Sequence, residues 1–166
     1  MSVRIRPETG GDQESIRAVN VAAFPTSQEA DLVQALHDDF DSVISLVAED
    51  EGNVVGHVLL SRMRVEGDGR QIRALGLAPI SVLPDRQAQG VGSALIDEAL
   101  RRAEESGEEM IFLVGEPGYY RRFGFSAEAA APFASPYAGP YFMARAFVPL
   151  PQSGKADYAA AFEELK

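Results

Sequence analysis

The chain has 166 residues, no cysteine, 46% hydrophobic residues and a formal net charge of -10. That length suits one domain, spanning residues 1 to 166, with a proper core, and the missing cysteine excludes disulfides, thiolate metal sites and a cysteine nucleophile. The acidic balance argues against nucleic acid as a partner, because phosphate backbones need clustered Lys and Arg.

Residues 2–6 alternate polar and apolar and stop at Pro7, which predicts a short first strand. No apolar leader stands here, and no later apolar run approaches membrane-spanning length, so a cytoplasmic protein with no membrane partner is expected. Gly10-Gly11-Asp12 breaks the chain and caps a helix over about 12–23, in which Ile16, Val19, Asn20, Ala23 and Phe24 follow helical spacing. Pro25 ends that helix, and Thr26 or Ser27 caps a second one with Ala30, Leu32, Val33, Leu36 and Phe40 on its apolar face. In it His37, beside Asp38 and Asp39, reads as a surface residue.

Residues 42–48 and 54–63 read as strands joined by the polar turn Glu49-Asp50-Glu51-Gly52-Asn53, an antiparallel hairpin. A second hairpin at Glu66-Gly67-Asp68-Gly69 leads into a strand over about 72–83, so three antiparallel strands run up to a glycine-rich turn. After that turn Val91, Ala94, Leu95, Ala99, Leu100 and Ala103 mark one side of a third helix, with Asp97–Arg101 and Glu98–Arg102 as i,i+4 pairs and Gly107 as its stop. Residues 110–114 form a continuous apolar run, which suits a buried strand parallel to the one before the helix. A short helical turn then holds Tyr119, Tyr120 and Phe123 before Gly124. Pro132, Pro136, Gly139 and Pro140 mark a loop, and residues 141–148 form a further strand.

The organising stretch is the strand, turn and helix start from Ile80-Ser81-Val82 through Pro84 to Gln87-Ala88-Gln89-Gly90-Val91-Gly92-Ser93. The first turn of a helix has unpaired N–H groups and the positive end of the helix dipole, so a glycine-lined turn at that point makes an anion site suited to phosphate. A Walker loop would need Gly-Lys-Ser/Thr, but Ser93 and Ala94 follow Gly92. A dinucleotide fingerprint would need a small residue where Leu95 stands.

Gln87-x-x-Gly90-x-Gly92 resembles the acetyl-CoA signature of the GNAT (Gcn5-related) N-acetyltransferases, and Tyr120-x-x-x-Gly124-Phe125 resembles a second element of the same family. The fuller run from Gly115 through Pro117, Tyr119, Tyr120 and Phe123 to Phe125, together with the tail from Gly154 to Phe162, is similar to the YhbS-like branch. The resemblance covers essentially the whole chain. It implies an α/β (α+β) fold with a mixed central sheet of about six to seven strands, flanked by about four helices and splayed between strands 4 and 5. It further implies acetyl-CoA as co-substrate, with the diphosphate on the amides of residues 89–93. Backbone groups of Ile80, Ser81 and Val82 would pair with the pantetheine arm, and a bulge there would open the slot. A final strand near the C-terminus would pair at the sheet edge, offering a way to form a homodimer.

Transfer of acetyl from a thioester to an amine needs a held CoA, a polarised carbonyl, a neutral amine and a proton for the departing thiolate. Without cysteine, direct attack in a ternary complex is the economical route. Tyr120 is the candidate general acid and Tyr119 the competing assignment. His57 is the candidate base, with Glu49, Glu116 or ordered water as alternatives. No His, Asp and Glu cluster has metal-ligand spacing, so no metal is expected. The acceptor is a small-molecule or peptide amine, met through the loop around residues 24–28 and the loop over 132–140, as the resemblance implies. Two other classes compete with the enzyme: a GNAT-shaped module that binds acyl-CoA without turnover, and a nucleotide-binding protein that uses the same turn, against which the missing P-loop lysine counts.

Overall fold

The computed structural model describes residues 3 to 164; Ser2, expected to open the first strand, lies outside them. In chain order the elements are β1 (Val3–Pro7), α1 (Gln13–Ala23), α2 (Gln28–Asp38), β2 (Ser42–Asp50), β3 (Asn53–Arg62), β4 (Arg64–Gly67), β5 (Arg70–Ile72), β6 (Ala74–Val82), α3 (Val91–Glu105), β7 (Met110–Val114), α4 (Pro117–Tyr120), α5 (Ala127–Ala130), β8 (Phe133–Ala134), β9 (Phe142–Ala146) and β10 (Gly154–Asp157), with short 3-10 turns between several of them. They form a six-stranded sheet ordered β1-β2-β3-β6-β7-β9 and a second, four-stranded sheet ordered β5-β4-β10-β8.

The hairpins close where the sequence supplies residues tolerant of positive φ. Glu51 (φ 51) and Gly52 (φ 85) join β2 to β3, and Asp68 (φ 50) and Gly69 (φ 83) join β4 to β5, the two-residue primed turn whose twist suits antiparallel strands. Alternation along each strand then divides the core between two faces. On β3, Val58 and Leu60 face α3 and pack with Leu95, Ile96, Ala99 and Leu100. Their neighbour Leu59 faces α1 and α2, with Ile16, Leu32 and Leu36. On β7, Ile111 and Leu113 join the α3 side, while Phe112 packs under the second sheet with Phe133, Phe142 and Ala156. One face is therefore covered by α3, and the other by α1 and α2 beside the second sheet. Tyr158 lies along the seam between those two covers, belonging to both clusters.

Five expectations need correcting, the first being Phe40, which lies past the end of α2 with φ 58 and is exposed instead of joining its apolar face. The hairpin over 66–69 does not lead its two strands into the main sheet: β4 and β5 belong to the second sheet, held there by β10. The C-terminal strand is not at an edge, since β10 is flanked by β4 and β8. The main sheet ends instead at β9, whose edge carries the single bridge Ser126–Ala144. On α3, Glu98 does bond Arg102 at 2.7 Å, but Arg101 turns to Glu98 and to Glu105, the latter at 2.7 Å, instead of to Asp97. Finally, His37 is half-buried, with Nε2 3.3 Å from Glu8 Oε1.

The splay lies where it was expected. Parallel pairing of β6 with β7 is limited to Ala74–Met110, Leu75–Ile111 and Gly76–Phe112, although β6 runs on to Val82 and β7 to Val114. On its other side β6 carries one extra residue against β3, between the pairs Leu60–Leu77 and Val58–Ile80. That bulge contains Pro79, which has no N–H to give to a ladder.

Candidate acyl-CoA site

The turn between β6 and α3 is held by its own chain. Leu83 N donates to Val55 O at 2.9 Å, and Arg86 Nη1 reaches Asp50 Oδ2 on the β2–β3 turn at 2.6 Å. The side chains of Gln87 and Gln89 donate to Val82 O (3.1 Å) and Asp85 O (3.2 Å), so both glutamines brace the turn and leave their backbone as the part available to a ligand. Ala88 has φ 62 and Gly90 has φ 86. A left-handed alanine is strained, and such strain gathers at ligand sites.

At the mouth of α3 no side chain caps the helix and no acid lies in the first turn, whereas the first turns of α1 and α2 carry Glu14 and Glu29 with Asp31. The first N–H groups of α3 therefore face solvent without a competing carboxylate. A Cβ built on Gly90 would have no heavy atom within 4 Å, and one on Gly92 would have Tyr119 Oη at 3.4 Å. The approach to the amides is open. Gly90 and Gly92 thus fit an anionic diphosphate, and Ser93 lies beside them with Oγ 3.5 Å from Tyr119 Oη. Val91 contributes only its backbone, since its side chain is in the core.

Behind the turn, Ile80 and Val82 point their side chains at the α3-side core, and Ser81 is buried with Oγ unpartnered. These three residues therefore turn their side chains away from the slot and leave the main chain toward it. Val114, across the parted edge on β7, is 50% exposed.

The two tyrosines of α4 separate by about a helical step. Tyr119 turns to the mouth of α3, with the Arg122 guanidinium 4.9 Å from its ring centroid. Tyr120 turns to the end of β7, where a Cβ on Gly115 would fall 2.8 Å from its Cδ2. Burial, and secondarily Tyr119, push the Tyr120 phenol above its ordinary value, so it keeps its proton at neutral pH. Proximity of Tyr119 to Ser93 has no signal in the sequence beyond the Tyr-Tyr pair itself.

His57 stands apart from the turn. It is fully buried on β3, opposite Ser81 in the β3–β6 ladder. Burial, with a smaller contribution from His37, lowers its pKa to about 3. Its Nε2 lies 3.0 Å from Ser45 Oγ, whose hydroxyl donates to Glu8 Oε1, and its Nδ1 lies 3.4 Å from Asn20 Nδ2. Asn20 Nδ2 also donates to Ile16 O at 2.9 Å. Polarity therefore runs from Asn20 through a neutral His57, protonated on Nε2, to the Glu8 carboxylate. Asn20 and Ser45 come from α1 and β2 and Glu8 from the segment after β1, so sequence reasoning could not join them to His57. Glu49 is held by Arg4 and Arg6, while Glu116 is an exposed residue whose carbonyl accepts from Tyr119 and Tyr120. Among the described residues no group of His, Asp or Glu could hold a metal ion, and no helix is long and apolar enough to cross a membrane.

Residues 4–127 match the family model described as an acetyltransferase (GNAT) domain. The chain is 35% identical over 147 residues to the uncharacterised N-acetyltransferase YjhQ of Escherichia coli (strain K12), covering 87% of this chain and 76% of that protein. It is 35% identical over 126 residues to the uncharacterised N-acetyltransferase YhbS of the same organism, covering 75% and 74%. Among solved structures, a GNAT family acetyltransferase from Brucella melitensis in complex with acetyl-CoA superposes with a TM-score of 0.80 at 37% identity, over 96% of this chain and 97% of that one. YhbS from E. coli in complex with CoA gives a TM-score of 0.87 at 28% identity, over 99% and 93%. With a parted β6–β7 pair, an uncapped acid-free helix mouth and these relatives, the chain belongs to the GNAT acetyltransferase family.

Proposed function

We propose that this protein is an N-acetyltransferase that passes an acetyl group from acetyl-CoA to a primary amine of a small molecule or protein by direct attack in a ternary complex. The observation that carries the reading is the slot between β6 and β7, which ends at the α3 mouth where N–H groups stand free of acids. The acetyl-CoA and CoA bound in the two similar structures support the ligand. Backbone amides of residues 89–93 would hold the diphosphate, and backbone groups of Ile80, Ser81 and Val82 the arm. Bound acetyl-CoA supplies an activated carbonyl carbon and a thiolate leaving group. The N–C bond forms as the C–S bond breaks; nitrogen releases one proton and sulfur takes one up.

Tyr120 is assigned the proton for sulfur. Its phenol is held protonated at neutral pH and lies at the β7 end of the slot, against Gly115. His57 is assigned a supporting part: with its pKa lowered to about 3 it is a weak base, and its two ring nitrogens tie β3 to α1 and β2. Water then takes the proton from nitrogen. With no cysteine and no spanning helix among the described residues, the cytoplasm is the compartment this reading favours.

Tyr120→Phe tests the assignment. General acid catalysis is worth about 10²- to 10⁴-fold, so kcat is expected to fall by about a hundredfold or more while acetyl-CoA affinity, read by isothermal titration, stays within about twofold. Tight acetyl-CoA binding by wild type with no CoA release for any amine in a broad panel would favour a module that binds without turnover.

A further inference from the structure

On the reading that the slot holds acetyl-CoA, we infer that the acceptor is an amine carried on an aromatic or compact apolar body, docked against Tyr137, Tyr141 and Tyr158 beside the fork of β6 and β7. Gly76 is the last β6 residue paired with β7, and the Tyr158 ring lies over it, so close that a Cβ there would fall 2.6 Å from Tyr158 Cε1. Tyr137 meets that ring edge-on, with centroids 5.3 Å apart at 83°. Tyr141 is tied to the end of β7 through its carbonyl, which accepts from Gly115 N at 2.9 Å. Tyr137 is 40% and Tyr141 54% exposed, beside Val114 at 50%. Exposed apolar side chains gathered at the open end of a slot mark a ligand surface, and tyrosine offers a wide, rigid face for little entropy.

Charge points the same way. The chain carries 25 Asp and Glu, yet residues 129 to 156, which supply Tyr137 and Tyr141, contain none. A polycation would be selected by several carboxylates; the segment carrying Tyr137 and Tyr141 supplies none, leaving only Glu116 beside Gly115 and Asp157 beside Tyr158. A polar group stands at the fork as well: Tyr158 Oη is buried and unpartnered. A buried hydroxyl without a partner is costly, and this one, on the ring that covers Gly76, suits the nitrogen end of such an acceptor.

The test measures CoA release with 2-phenylethylamine, spermidine and Nα-acetyl-lysine as acceptors, on wild type, Tyr137→Ala and Tyr141→Ala. The expected result is a kcat/KM for 2-phenylethylamine at least about tenfold above the other two. At least one tyrosine variant should raise its KM about fivefold or more, with acetyl-CoA affinity unchanged within about twofold. Preference for spermidine or acetyl-lysine, or a KM unmoved in both variants, overturns the acceptor inference and leaves acetyl transfer standing. Binding of acetyl-CoA with no acetylation of any amine overturns the transfer reading and this inference with it.

Discussion

Gly90→Ala gives the sharpest test of the CoA cradle, because the protein itself has no steric reason to resist it. Gly90 has φ +86, and a Cβ there would meet no heavy atom within 4 Å. In the free protein the only cost is that of holding an L-residue in the left-handed region, roughly 1 to 2 kcal/mol. Gly107, at the other end of α3, is a matched control: φ is +87 and again nothing lies within 4 Å. Both variants should therefore lose similar stability, which for a chain of this size is a drop in Tm of about 2 to 8 °C by differential scanning fluorimetry. CoA affinity should separate them. At position 90 the methyl occupies space through which a diphosphate approaches the amides, and weakening even one charge-assisted hydrogen bond costs about 1.5 to 3 kcal/mol. That is about ten- to a hundredfold in Kd by isothermal titration, against less than about twofold for Gly107→Ala. Equal CoA affinity in the two variants would refute the placement of the diphosphate at this turn.

Other outcomes follow from buried charges. Burial alone would push the Glu108 carboxyl up, but the hydrogen bonds and charge of Arg62, then of Arg73, outweigh it and hold it below its ordinary value. Those bonds are 2.7 and 2.9 Å to Arg62 and 2.8 Å to Arg73. Glu108→Ala should cost about 2 to 4 kcal/mol in urea unfolding at pH 7. Because the folded pKa is depressed, the difference from wild type should shrink as pH falls below about 4; a constant difference down to pH 3 would count against the ion triad. His57 behaves oppositely to a salt-bridged histidine: its folded pKa of about 3 lies under the unfolded value near 6.5. Unfolded chains take up the proton first, so stability is lost as pH falls through that window, by about 2 kcal/mol at pH 5. His57→Gln should flatten the profile between pH 7 and pH 5, and an unchanged slope would show that another group carries it.

The parts of the fold that were legible in the sequence are those fixed by local rules. Glu51-Gly52 and Asp68-Gly69 signal their hairpins because few residues tolerate positive φ, and both turns form. The apolar spacing of α3 and the stop at Gly107 likewise survive in the structure, since a helix depends on neighbours three and four residues away. What failed depends on distant chain. A hairpin has the same pattern whichever sheet receives it; β4 and β5 join the second sheet because β10, some ninety residues later, pairs with β4. Arg101 has acids available at several helical spacings, and its choice of Glu98 and Glu105 over Asp97 is a matter of rotamer. The buried chain from Asn20 to Glu8 through His57 and Ser45 joins α1, β3, β2 and the segment after β1; nothing in linear spacing announces it.

Charge distribution ties the candidate site to the rest. A chain with 25 acidic residues keeps most of them solvated, Asp12 and Glu108 being buried in ion pairs, and residues 86 to 96, the turn and first turns of α3, contain none, nor do residues 129 to 156. The first gap frees helix N–H groups whose attraction for an anion would be cancelled by a carboxylate in the first turn. The second leaves an aromatic wall at the fork of the sheet. Acid-free runs also fall at residues 15–28 and 69–84; what sets these two segments apart is that the fold brings them to the mouth and to the fork of one slot. On the function proposed above a diphosphate would use the first gap and the acceptor amine the second, so the charge pattern is consistent with a donor and an acceptor meeting between β6 and β7.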